Sequence, residues 1–152
     1  MAPQVRLGLN EFDFEGLLKA SYRKPPPPAD LICNRKSHFR NLRATVLAWQ
    51  RDEIDSPPES WAAFAARVEA ARQFLTKDRS GPILAVSSGG AISQMINATL
   101  GAAPAQKINL KLQMKNCAVT RFFYSLRAFF LQSFNETPHI TDAASRPLLS
   151  YS

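Results

Sequence analysis

The run Val86-Ser87-Ser88-Gly89-Gly90 has the residue types and spacing best suited to chemistry in this chain. It follows the compact apolar stretch Pro82-Ile83-Leu84-Ala85-Val86, and it leads into Ala91, Ile92, Met95, Ile96 and Leu100, which recur at helical spacing. A strand that ends in a glycine-rich turn and opens a helix aims several backbone N–H groups outward. The helix dipole adds positive potential at the same point, so an anion such as phosphate is stabilised there. Ser87, Ser88, Gly89 and Gly90 are therefore the candidate phosphate-binding residues. The plain alternative is that the glycines merely let the chain turn tightly. The turn can also be read as a hydrolase nucleophile elbow, with Ser88 attacking and His139 plus Glu11 or Asp142 completing a triad. That geometry wants G-x-S-x-G, because both flanking positions must be small. Val86 stands where the first glycine belongs, and this counts against the elbow.

The elements that would position this turn follow from periodicity. From about Arg35 to Glu53 the residues Phe39, Leu42, Val46 and Trp49 mark one face of a helix. Ser56 as N-cap and Pro57 at the first helical position are expected to open a second helix, with Trp61, Phe64, Val68, Ala71 and Leu75 as its stripe. Pro82 to Ser87 reads as a strand buried on both faces, and the helix after it closes at Gly101. Ala118–Tyr124 and Ala128–Phe134 read as two further strands joined by Ser125-Leu126-Arg127. Val5 to Leu9 reads as a short strand, and Pro25 to Pro28 as an extended linker. Helix, buried strand, helix and paired strands describe an α/β sandwich. A strand buried on both faces needs neighbours on both edges, and few other strands are on offer. The expectation is an exposed sheet edge and self-association through it.

Length and composition set the outer bounds. At 152 residues and 45% apolar content, the chain has the size and core material of one domain spanning 1–152. It carries no apolar run long enough to cross a bilayer and no signal-like start, so a cytoplasmic protein without membrane contact is expected. Cys33 and Cys117 belong to no C-x-x-C pair, which argues against zinc or a disulfide framework and for reduced, partly buried thiols. The sequence calls for no metal and no cofactor. A net charge of +7 suits nucleic acid, acidic partners or anionic phosphoesters. The basic residues are spread from Arg35, Lys36, Arg40 and Arg43 to Lys107, Lys111, Lys115, Arg121 and Arg127, with no aromatic stacking signature, which ranks nucleic acid behind a phosphate ligand.

Set in order, several motifs resemble the histidine phosphatase (phosphoglycerate-mutase-like) superfamily. Its turn V-S-H-G-G-x-I compares with Val86-Ser87-Ser88-Gly89-Gly90-Ala91-Ile92. Glu59-Ser60-Trp61 is similar to its E-S-[FW] helix start. Asn116-Cys117-Ala118-Val119-Thr120 is similar to its N-x-S-V-[TS] strand, and Phe134 to His139 to its L-x-x-x-N-x-x-x-H-L ending. The resemblance runs through residues 56–142. Upstream, Leu9-Asn10-Glu11 resembles the L-x-E segment whose glutamate is the general acid, a role that requires a pKa suited to protonating a leaving oxygen. The resemblance implies a three-layer α/β sandwich, with helices on both faces of a mostly parallel sheet. It also implies phosphoester hydrolysis or phosphoryl transfer on a phosphorylated small molecule.

Two departures qualify that activity. No Arg-His-Gly occurs in the chain, so the family's nucleophilic histidine is absent. If Glu11 aligns, its strand would lie before Met1, and an N-terminally incomplete domain is expected. Ser88 stands where the second histidine belongs. Serine donates one hydrogen bond but brings no positive charge. Losing a charged donor to the transferring phosphoryl group costs on the order of 100- to 1000-fold in rate, and losing the nucleophile removes the covalent route altogether. The expectation is a chain inactive by the family's mechanism, either a truncated enzyme or a pseudoenzyme that binds phosphate. A basic interaction module for nucleic acid or acidic partners is the alternative. His38, in a charged helix, and His139, near the last strand, replace neither missing histidine.

Overall fold

The computed structural model describes residues 3–22 and 35–151, the side chains of Arg35, Lys36 and Pro104 excepted. The expected linker Pro25–Pro28 and Cys33 lie outside the described residues. Two compact units divide the chain, residues 12–67 and residues 1–11 with 68–152.

The first unit is helical. Asp13 caps helix α1 (Phe14–Ser21), its Oδ1 accepting from Gly16 N at 2.8 Å. This satisfies one of the free N–H groups of the first turn. Helix α2 (Arg35–Gln50) and the start of helix α3 (Trp61–Thr76) supply the stripes that the sequence predicts. Phe12, Leu17, Leu42, Val46, Trp49 and Phe64 form the core. Trp49 lies 4.9–5.4 Å from the rings of Phe12, Trp61 and Phe64. Its indole N–H would be costly to bury alone, and it donates to Glu59 O at 2.7 Å. The start of α3 differs from expectation. Ser56 has a φ of +50° and lies before the helix, whereas Ser60 Oγ accepts from Ala63 N at 3.1 Å. A left-handed residue cannot serve as N-cap, which requires an extended backbone.

In the second unit, helix α4 (Gly89–Leu100) ends at Gly101, whose φ of +59° is the left-handed value for which glycine is suited. The N–H groups of Gly101 and Ala102 both end on Asn97 O. Helix α5 (Pro104–Leu112), which the sequence reading omits, packs beside α4. Strands β1 (Val119–Tyr124) and β2 (Phe129–Glu136) pair antiparallel, with register shifts between Val119 and Phe122. Phe122 stacks on Phe129 at 4.7 Å. Asn135, at a φ of +61°, clamps the chain before β1: its Oδ1 accepts from Lys115 N at 2.8 Å and its Nδ2 donates to Gln113 O at 2.7 Å.

Three local readings are corrected. Val5–Leu9 is no strand; residues 7–9 form a 3-10 turn. Cys117 is exposed, at a φ of +58°, rather than partly buried. Pro82–Ser87 is no strand buried on both faces: it enters no ladder among the described residues, and Leu84 and Val86 are 91% and 85% exposed. The apolar run has the composition of an interior strand without the flanking backbone that would bury it, which accounts for the difference. The sheet among the described residues is the two-stranded β1–β2 pair, within a mixed helix and sheet architecture. No described helix is long and apolar enough to cross a membrane.

Candidate functional site

The site assembles within the second unit at the N-terminus of α4. Pro82–Ser87 delivers the chain to Ser88, whose extended backbone (φ −95°, ψ 165°) makes it the N-cap. The helix opens there because Gly89 and Gly90 place no side chain at the first turn, while Ala91, Met95 and Ile96 carry the buried face. The Ser88 carbonyl accepts the first helical bond, from Ile92 N at 3.0 Å. Its hydroxyl makes no capping bond, and Oγ is buried without a hydrogen-bond partner among the described residues. A buried hydroxyl left without a partner is uncommon and costs free energy. Ser87 is held differently: its Oγ donates to Leu9 O at 2.7 Å and ties the turn to the N-terminal segment.

That tie brings in Glu11. Its Oε2 accepts from Gly90 N at 2.9 Å, so a carboxylate sits at the positive end of α4. The same oxygen lies 3.1 Å from the Nζ of Lys111 on α5, in an ion pair whose lysine side chain is 11% exposed. Glu11 is thus held in a specific pairing, its side chain 35% exposed, rather than standing as a free surface carboxylate. One α5 turn earlier stands Lys107, whose ammonium is held below the usual lysine range by burial. Two basic side chains on one helix therefore lie four residues apart, and the second reaches the turn.

Of the residues singled out from sequence, the structure joins Glu11 to Gly90 and Ser87 to Leu9, and leaves Ser88 between them. From sequence, Lys111 counts only among the spread basic residues and not as a site residue, since nothing in its neighbourhood links it to a glutamate so distant in sequence. The triad reading fails: Ser88 Oγ has no partner among the described residues. Asp142 instead accepts from Ser145 N at 2.7 Å and Ser145 Oγ at 2.8 Å, bonds that hold its carboxyl below the ordinary range. His139 is exposed in a turn after β2. His38 is exposed on α2, in edge contact with Phe14 and Phe39. No group of three or more His, Cys, Asp or Glu residues is placed to hold a metal ion among the described residues.

Chemically, a backbone N–H at a helix N-terminus and a mostly buried ammonium share one carboxylate oxygen. Close in sequence to that N–H is the buried Ser88 hydroxyl, which has no partner among the described residues, and the arrangement is able to hold an anionic oxygen. Residues 34–137 match the sequence profile of the histidine phosphatase superfamily (branch 1), a span that contains the Ser87–Gly90 turn, Lys111 and both strands. Neither the curated proteins nor the solved structures give a significant match to the chain.

Proposed function

As this chain belongs to the histidine phosphatase superfamily, we propose that Ser87, Ser88, Gly89 and Gly90 bind the phosphate group of a small phosphoester, and that the residues present hold it without transferring it. The observation that carries this reading is the Glu11 carboxylate at Gly90 N, 2.9 Å away, because it marks the first turn of α4 as a place where an anionic oxygen is held. Ser88 at the second-histidine position supplies a donor without a charge, and no Arg-His-Gly occurs to form a phosphohistidine. Glu11 at the general-acid position is engaged by Gly90 and Lys111, so a leaving oxygen would have to compete with them for it.

The finer architecture belongs to the same reading. We take the three-layer sandwich of the family, a mostly parallel sheet with helices on both faces, as the architecture to which the mixed helices and strands of this chain belong, an assignment supported by the matched family profile. We take 1–152 as one family domain, since the matched span runs through both compact units.

The test is a titration of the whole chain with inorganic phosphate to millimolar concentration, beside random-sequence DNA at two salt concentrations. The reading expects one saturable phosphate site, sensitive to S88A, and no turnover of a chromogenic phosphomonoester above the uncatalysed rate. Indifference to millimolar phosphate refutes it. Tight DNA binding that collapses with salt, together with that indifference, would favour a charge-driven nucleic-acid module instead.

A further inference from the structure

The Glu11 contact has a meaning beyond a binding turn. We propose that Lys111 is the cation of the phosphate cradle and that Glu11 is its built-in plug, a carboxylate that a phosphate ester must displace to bind. This rests on the reading of the α4 turn as a phosphate site.

Lys111 argues for itself by place and burial. Its side chain is 11% exposed, and its Nζ lies 3.1 Å from the oxygen that Gly90 N also holds, so ammonium and helix N-terminus address one point. A buried lysine is costly unless paired, and the pairing brings the charge to the turn from α5. A cation at that point serves the electrostatic role that Ser88 cannot, because it stabilises an anionic oxygen close to the helix terminus. Ser88 Oγ, buried and without an acceptor among the described residues, is the third donor.

Glu11 satisfies two of the three donors with a single oxygen. A phosphate carries three or more acceptor oxygens and can engage all three, the Ser88 hydroxyl included, while the glutamate swings aside. The segment that carries Glu11 is suited to such exchange. It is a 3-10 turn and a short irregular stretch, with the Ser87–Leu9 bond and the Glu11 contacts among the interactions that hold it. Binding therefore amounts to replacement of an internal anion by an external one. Apparent affinity is lowered by whatever the internal contact contributes.

The experiment measures inorganic phosphate affinity by calorimetry for the wild-type chain, E11Q, K111M, K111R and the double variant E11Q/K111M, each shown to be folded by its thermal melt. Glu11→Gln keeps the shape of the plug but removes its charge. It should tighten phosphate by about tenfold, the factor expected when a charge-assisted competitor becomes a neutral one. Lys111→Met should weaken binding by at least about tenfold on the same grounds, and Lys111→Arg should restore most of it. A purely structural lysine would lower the melting temperature without this split between Met and Arg in affinity. If Lys111→Met is too unstable to measure, the double variant, which buries no unpaired charge, must bind more weakly than E11Q. Phosphate binding that responds to S88A but is unchanged in E11Q and K111M overturns the plug and leaves the phosphate site standing. An E11Q affinity equal to or below that of wild type overturns it as well. Absence of phosphate binding in every variant removes the site and the plug together.

Discussion

Replacing Asn135 tests whether a family-motif asparagine acts through the backbone rather than at the ligand. Asn135 adopts a φ of +61°, and its amide bridges Lys115 N and Gln113 O at 2.8 and 2.7 Å. Asn135→Ala loses both hydrogen bonds, each worth about 0.5–1.5 kcal/mol. It also places an alanine in a left-handed conformation that costs roughly 1–2 kcal/mol. The sum is about 2–5 kcal/mol of destabilisation. Asn135→Gly relieves the conformational part and loses the hydrogen bonds alone, so it should fall only about 1–3 kcal/mol below wild type. Urea unfolding followed by circular dichroism gives both values, provided that the slope with denaturant is shared. The order wild type, glycine, alanine is the signature. A change below about 0.5 kcal/mol for the alanine variant, or a glycine variant as unstable as the alanine one, refutes the clamp and with it the purely structural role.

Two further perturbations follow from the same packing. A Cβ at Gly16 would lie 2.4 Å from Asp13 Oδ2 and 2.5 Å from Pro58 Cγ. Gly16→Ala should therefore expel the Asp13 cap and cost roughly 1–3 kcal/mol, visible as a fall in Tm; an unchanged Tm would show that the cap region gives way freely. Glu69 is held below its ordinary value of 4.5, first by its hydrogen bond from Arg72. Because its folded value is depressed, the stability it contributes is complete above 4.5 and is lost as pH falls through the lowered folded value. The stability difference between wild type and E69Q should thus narrow on acidification from neutral pH to below that window. A difference that stays constant would mean that the pair contributes nothing to folding.

How much of this was legible follows from the range of each signal. Helices α2, α3 and α4 declare themselves through Leu42, Val46 and Trp49, through Phe64 and Val68, and through Ala91 and Ile96, since helical periodicity is local. Gly101 and the aromatic runs of β1 and β2 were readable for the same reason. The start of α3 was misplaced because Ser56-Pro57 and Ser60-Trp61 both carry start signals, and only φ decides between them. Pro82–Ser87 has the composition of a buried strand, but burial depends on neighbours that composition cannot supply. In the candidate site, the Ser87–Gly90 turn and Glu11 were visible as motifs. Lys111 was not, because what distinguishes it from other lysines is an approach of 3.1 Å that only the folded pairing of α4 and α5 creates.

The bonds that gather the turn span long stretches of chain: Ser87 to Leu9, Gly90 to Glu11 and Lys111 to Glu11 are separated by 78, 79 and 100 residues. Closing loops of that length costs about 2 kcal/mol more in chain entropy than closing one of ten residues. Such contacts are therefore late in folding, formed after α4 and α5 have met through nearer partners. In the native state they hold a 3-10 turn and a short irregular stretch against α4, the kind of element that opens locally. Residues 3–11 can thus part from the head of α4 at a fraction of the free energy of global unfolding. The exchange of the Gly90 amide hydrogen would follow that fraying rather than the melting of the helix it begins.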